Sequence, residues 1–312
     1  MTSMSKKGTV SSVLLLFLAA LIWGFSFVAQ SDGGLAFGAF SFNGARLLFT
    51  ALILRILITI TDKMGISSAP VDVVDKKRQL FAGLVCGLFI FVATNFQQIG
   101  MNLGAGTGKA GFITSMYILM VPIIGLFFRQ KIKWNVWAAV GVALVGLYFL
   151  CVNGKLEFVP ADICLMLGAL GFAGQIVTID RYGNRVDALR LSGMQFLFGG
   201  FLTSIIAVIY EVIPFPGGIA AWAVPLFHGR IWLELLYMAV LSGGVAYSLQ
   251  IICQKRLNPT VASLIMSFEA VFSAFAGWLI LHQKLSQREI IGCFIMFAAV
   301  IIAQINFKHK SS

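Results

Sequence analysis

The chain has 312 residues, of which 59% are hydrophobic and only 11% charged, with a mean hydropathy of +0.92 and a formal net charge of +11. Soluble domains carry roughly 25% charged residues, so a water-soluble fold is excluded, and with it the nucleic-acid partner that such a positive balance would otherwise suggest. A bilayer core about 30 Å thick needs roughly 20 apolar residues per helical span.

Ten stretches meet that requirement, at 10 to 30, 37 to 60, 79 to 100, 105 to 128, 134 to 152, 160 to 181, 189 to 211, 230 to 254, 259 to 281 and 287 to 306. Barrel strands would show short alternating segments. These runs are continuously apolar, and the reading is an all-α integral membrane protein of about ten helices.

Lys6 and Lys7 precede the first stretch as in a signal peptide, but the run is too long and no A-x-A site follows, so it is read as helix one. It carries Trp23 and Ser26. Helix two holds Arg46 about 14 Å below its outer end, and Arg55 near enough to the inner end to snorkel. Arg46 is read as a structural arginine, bonded to helix-end carbonyls or to another helix. Gln98, Gln250 and Gln254 are read as helix-end residues, solvated or capping.

Between helices three and four the string GAGTGKA resembles a phosphate loop. It fails G-x-x-x-x-G-K-[ST], because Leu103 stands where the first glycine belongs and Ala110 where the hydroxyl belongs. Gly100, Gly104 and Gly108 read instead as a small-residue face for close helix packing. Segment 212 to 229 is a turn-rich outer loop with Pro214, Pro216 and Trp222. The five cysteines lack C-x-x-C spacing and read as small hydrophobes.

With both termini placed inside, the inner segments hold sixteen Lys and Arg and the outer segments five. By the positive-inside rule this predicts a multi-pass protein of the cytoplasmic (inner) membrane with both termini cytoplasmic.

The chain repeats. A shift of 149 lays LAALIWGFS (18 to 26) over LGALGFAGQ (167 to 175) and NGARLLF (43 to 49) over SGMQFLF (192 to 198). A shift of 153 then pairs Gln97 with Gln250 and Gln130-Lys131 with Gln283-Lys284. The units are 10 to 152 and 160 to 306. Five helices are an odd number, so the second unit must enter from the opposite face, which makes an inverted repeat suited to alternating access around a midplane site.

IWGFSFV (22 to 28), GARLLF, FQQIGMNLGAGTGKAGFITSMYILMVPIIGL (96 to 126) and GVAYSLQIICQKRLNPTVASLIMSFEAVFSAFAGWLIL (244 to 281) resemble the ten-helix EamA-type branch of the drug/metabolite transporter superfamily, over nearly the whole chain. The resemblance implies a metabolite or amino-acid exporter with a central cavity lined mainly by helices one, three, four, six, eight and nine. Two departures stand out. Helix nine has Glu269-Ala270 where the family often has Glu-Pro, which implies an unkinked helix. Helices four and nine end in Arg129-Gln130 and His282-Gln283 where the family often has Gly-Glu.

A charge in the bilayer interior is a functional candidate by default, and Glu269 stands about 15 Å into helix nine, at the midplane. With Met266 and Ser273 it forms one helical face, whose repeat counterpart runs through Met116 with Tyr117 beside it. Together with Trp23, Gln175 and Tyr247 these are the expected substrate-binding residues, suiting a solute with an apolar or aromatic part and an amine. The function read here is secondary transport of small metabolites, amino acids or related compounds, in the export direction, with protons as the possible coupling ion. The chain is expected to act as a monomer in the lipid bilayer, without cofactor or metal. A lipid or drug flippase of the same superfamily is the alternative. An intramembrane enzyme fits worst, since His228, His282 and His309 lie outside the spans and no H-E-x-x-H or G-x-S-x-G string occurs.

Overall fold

A computed structural model of the chain describes residues 6–65, 70, 72–129, 132–151, 159–280 and 286–304. Gln130-Lys131, His282-Gln283-Lys284 and the tail from Lys308 lie outside them. Among the described residues each apolar stretch is helical over most of its length: α1 (Lys6–Phe37), α2 (Ala39–Lys63), α3 (Val73–Asn102), α4 (Thr107–Phe127), α5 (Trp134–Cys151), α6 (Pro160–Tyr182), α7 (Ala188–Val212), α8 (Gly229–Gln254), α9 (Pro259–Ile280) and α10 (Gln287–Gln304). Among the described residues, eight helices are long and apolar enough to cross a bilayer; the apolar part of α5, Trp134–Phe149, is shorter. By length and composition, eight of the ten spans read from sequence are thus supported among the described residues, and the count of ten is not confirmed.

Local chemistry sets several helix starts. The Asp187 carboxylate accepts the Arg190 amide at 2.8 Å and so caps α7. Asn258 caps α9 by accepting from the Thr260 amide at 2.9 Å, with Pro259 at the first helical position. Pro160 begins α6, and Asp162 accepts the Val159 amide at 3.0 Å.

The packing obeys the inverted repeat. Two elements meet their own counterparts, α2 against α7 and α5 against α10, while α3 on α6 is mirrored by α8 on α1, and α4 on α6 by α9 on α1. Bare backbones make these contacts close. A Cβ on Gly24 would lie 2.4 Å from the Phe272 Cβ on α9, and one on Gly171 would lie 2.7 Å from the Ala93 amide nitrogen on α3. The outer faces of the bundle expose Leu52, Ile56, Leu88, Phe201 and Phe294, the surface a lipid solvent demands.

The predicted glycine face does not form. Gly100 packs against Ala161 and Leu165 of α6, but α3 ends at Asn102, Gly104 turns into the left-handed region at φ 94°, and a Cβ added at Gly108 would point into open space. The four-residue spacing runs across a helix end.

Both α4 and α9 are interrupted at corresponding places. α4 breaks at Met116 between Thr107–Ser115 and Tyr117–Phe127, and α9 breaks at Ser267 and Phe268 between Pro259–Met266 and Glu269–Ile280. This corrects the expectation of an unkinked helix nine. Serine side chains supply the local cause. Ser263, Ser267 and Ser273 each donate to the carbonyl three residues back, at 2.9, 2.8 and 2.9 Å. Such back-bonding bends helices, and the Phe268 amide tightens to the Ile265 carbonyl at 3.2 Å. α8 is wound more widely over Tyr237–Ala246 as a π-helix.

Candidate functional site

The interruptions bring Tyr117 and Glu269 to the first turns of two half-helices, facing a cavity where the halves meet. Its lining includes Trp23, Ser26, Phe27 and Gln30 from α1, Arg46 from α2, Thr94 and Gln97 from α3, and Tyr117 from α4. The second half supplies Phe172, Gln175 and Ile176 from α6, Ser242, Tyr247 and Gln250 from α8, and Met266 and Glu269 from α9. The space a water-sized body can enter is about 40 Å³, against ~10–15 Å³ per water on that measure. In this conformation the cavity is too narrow for a metabolite.

Aromatic rings form its walls. Trp23 meets Tyr247 edge-on at 4.9 Å between centroids, Tyr247 meets Phe196 at 5.1 Å, and Tyr117 meets Phe172 at 6.4 Å. Trp23 is anchored by its indole N–H on the Ser242 carbonyl, 3.3 Å away in the widened part of α8. Ser26 donates to the Trp23 carbonyl at 2.7 Å and accepts from Gln30 at 3.2 Å.

The polar groups include a hydrogen-bonded amide chain whose two ends, Gln250 Oε1 and Gln195 Nε2, are buried without a partner. Gln250 donates to Gln175 at 3.0 Å, and Gln175 donates to Gln195 at 3.1 Å, a chain of three buried amides joining α8, α6 and α7. Gln97 donates to Thr114 at 3.1 Å. Gln30 Oε1, Arg46 Nη2 and Glu269 Oε1, like Gln250 Oε1, are buried without a hydrogen-bond partner. Arg46 and Glu269 are 4% and 6% exposed, and among the described residues no ion pair involves either one. Buried polar atoms are nearly always paired, so four such atoms around one cavity mark a place where a solute or water completes the bonding.

The EamA-like transporter family model matches residues 10–152 and again 159–304. The chain belongs to the EamA-like transporter family. Similar proteins include an uncharacterised transporter of Archaeoglobus fulgidus, 27% identical over 93% of this chain and 85% of its own length. Another uncharacterised transporter, from Bacillus subtilis, is 22% identical over 96% and 99%. An S-adenosylmethionine uptake transporter of Rickettsia bellii is 22% identical over 72% and 73%. A protein of known crystal structure shares the fold at a TM-score of 0.73 over 95% of this chain and 96% of its own, with 18% identity.

Of the residues expected at the site of this EamA-like transporter, Glu269, Trp23, Tyr117, Gln175, Tyr247 and Met266 line the cavity together. Met116 and Ser273 do not. Met116 is half-buried at the break in α4, and Ser273 is directed toward Gly111, where its hydroxyl would stand 3.1 Å from an added Cβ. Arg46 bonds Asn43, as a structural arginine would, yet it also faces the cavity.

Sequence reasoning did not assign Ser26, Phe27, Gln30, Thr94, Gln97, Phe172, Ile176, Ser242 or Gln250 to the lining. Gln250 is 2% exposed and Gln254 is also buried; Gln98 donates to the Gln30 carbonyl and to Asn102, both at 3.0 Å, so none of the three is a solvated helix end. A usable signal lay in the repeat. The two shifts pair Trp23 with Phe172, Ser26 with Gln175, Phe27 with Ile176, Thr94 with Tyr247 and Gln97 with Gln250, and all ten of these residues line the cavity.

Proposed function

We propose that this protein is a secondary transporter that moves amino acids or related small metabolites out of the cell by alternating access, crossing the cytoplasmic membrane ten times with both termini inside and working as a monomer. The observation that carries the reading is the lining by five pairs of repeat counterparts, one member of each pair from either half. Two inverted halves sharing one cavity have two nearly equivalent arrangements, open to opposite sides. The narrow cavity then belongs between them, and the solute enters when one side parts.

The aromatic walls suit an apolar or aromatic side chain, and Glu269 offers an anionic partner to a substrate amine or a place for a proton. The S-adenosylmethionine uptake named for the Rickettsia relative concerns an amino-acid derivative, so the compound class is shared while the direction differs. Purified protein in liposomes, screened for uptake and efflux of labelled amino acids, nucleosides and organic cations, tests the reading. Saturable, counterflow-competent flux of an amino acid is expected. Flux confined to lipid or to hydrophobic cations would replace it with a flippase or drug exporter.

A further inference from the structure

We infer that Arg46 is an anion-binding residue for the transported solute, which is therefore a zwitterion held across the two halves, its carboxylate on Arg46 and its ammonium on Glu269. The inference rests on the transporter reading above and names the substrate's charge pattern within it.

Arg46 is held in place from behind. Its Nε donates to Asn43 Oδ1 at 2.6 Å, and the Asn43 amide donates in turn to the Thr94 carbonyl at 2.8 Å and to Asn95 at 3.2 Å. Asn95 is tied to the Phe91 carbonyl at 2.8 Å and to Thr203 of α7 at 2.7 Å. This backing leaves Nη2 buried and unpartnered on a residue that lines the cavity. A guanidinium offers planar donors matched to a carboxylate, and a buried charge without a partner is tolerated where function needs it.

The repeat separates a structural role from a binding role. Arg46 corresponds to Gln195 and Glu269 to Met116, so the second half packs the equivalent of α2, and the first half the equivalent of α9, with a neutral residue. Neither charge is repeated at the equivalent position of the other half. Gln195 accepts from Gln175 while its own Nε2 is buried without a partner, and Met116 lies off the cavity. Only one orientation of a zwitterion satisfies both charges, with Trp23, Tyr117, Phe172 and Tyr247 around its side chain.

The test compares the full chain with Arg46→Gln, Arg46→Lys and Glu269→Gln, reading ligand-induced thermal stabilisation in detergent and inhibition of flux in liposomes. Two matched sets serve as probes: L-phenylalanine, phenethylamine and 3-phenylpropionate, and L-methionine with its decarboxylated amine and its deaminated acid. The parent is expected to bind at least one amino acid at least tenfold more tightly than the related amine or acid. Arg46→Gln abolishes the preference over the amine while amine binding persists, Arg46→Lys restores part of it, and Glu269→Gln abolishes the preference over the acid. A folded Arg46→Gln that keeps the preference overturns the inference, as does a parent that ranks amine and amino acid equally; that ranking decides the matter even if the variant fails to fold. A parent that binds none of the six compounds instead overturns the amino-acid transporter reading itself, and this inference with it.

Discussion

Asp62 and Glu211 occupy equivalent positions in the two halves, and each grips the first turn of the other half's second helix. Asp62, at the C-terminal end of α2, holds Arg190 of α7 with contacts of 2.6 and 2.5 Å. Glu211, in the last turn of α7, accepts from the Phe40 amide at 3.0 Å and from both the amide and the hydroxyl of Ser41 at 2.6 Å. The shift of 149 that carries Asp62 onto Glu211 also carries Ser41 onto Arg190. The α2–α7 pair is thus clamped at both of its ends.

The first prediction follows from that clamp. Glu211→Ala removes three hydrogen bonds to a carboxylate at the start of α2, where Gly38, at φ 91°, brings the backbone against it. Bonds to a charged group are each worth about 1.5–3 kcal/mol, and water at the membrane face recovers part of that. A loss of about 2 kcal/mol is expected in detergent unfolding, with Asp62→Ala costing less because Asp62 is one-third exposed. Equal stability of Glu211→Ala and the parent would show that the clamp contributes nothing.

The end of α4 predicts a gain instead. Arg129 adopts φ 57°, a left-handed conformation that closes the helix through its amide on the Leu126 carbonyl at 2.9 Å. A side chain there costs roughly 1–2 kcal/mol, and glycine escapes that cost at some expense in unfolded-state entropy. Arg129→Gly should stabilise the protein by about 0.5–1 kcal/mol, read as a higher melting temperature. A lower one would show that the guanidinium makes a contact worth more than the strain.

Much of this fold is legible in sequence because lipid imposes one dominant constraint: continuous apolar runs must be helices. The site is legible only in part. Glu269 is conspicuous as a charge at the midplane, but Thr94 and Ser242 carry no sign of their position, since serine and threonine also serve as ordinary helix back-bonders, as Thr94 does on the Ile90 carbonyl at 2.8 Å. The break in α9 is hidden for a related reason. It arises from three serines spread over nearly three turns, whereas the familiar signal is a single proline.

Topology is tested by labelling. On a cysteine-free background, Lys76→Cys lies in the segment placed in the cytoplasm and Ala220→Cys in the outer loop, both at exposed positions. An impermeant maleimide applied to intact cells should modify position 220 alone. Labelling of 76 with 220 protected would invert the orientation.

Rocking predicts a further outcome at the outer face. Lys109 at the start of α4 pairs with Asp162 at the start of α6 at 2.9 Å. If the outer ends of α3 and α4 part from the second half while the inner ends of α8 and α9 close, the double variant Lys109→Cys, Asp162→Cys should carry substrate when reduced and stop when cross-linked. Undiminished flux with a fully formed cross-link would rule out this motion.

The final prediction concerns coupling through Glu269. Its carboxyl faces the cavity with Ser115 and Tyr117 as polar neighbours, Oε1 is unpartnered, and no cation is paired with it among the described residues. The pairing of Glu269 with Arg46 that would make it a fixed structural charge is absent from this conformation. A carboxylate placed this way can bind a substrate ammonium or take a proton, but not both together, and that exclusion is sufficient for exchange of one for the other. Lowering the pH should therefore weaken binding of an amine-bearing substrate, with the proton acting as a competitor that raises the apparent Kd without lowering the number of sites. Glu269→Gln keeps the shape and can still accept a hydrogen bond, but it cannot titrate, so substrate binding should be weaker and lose this part of its pH dependence. Transport driven by a proton gradient should fall to the level of passive exchange. If the folded Gln variant binds and transports with the parent's pH profile, the carboxyl is structural, and coupling must be sought at another titratable group.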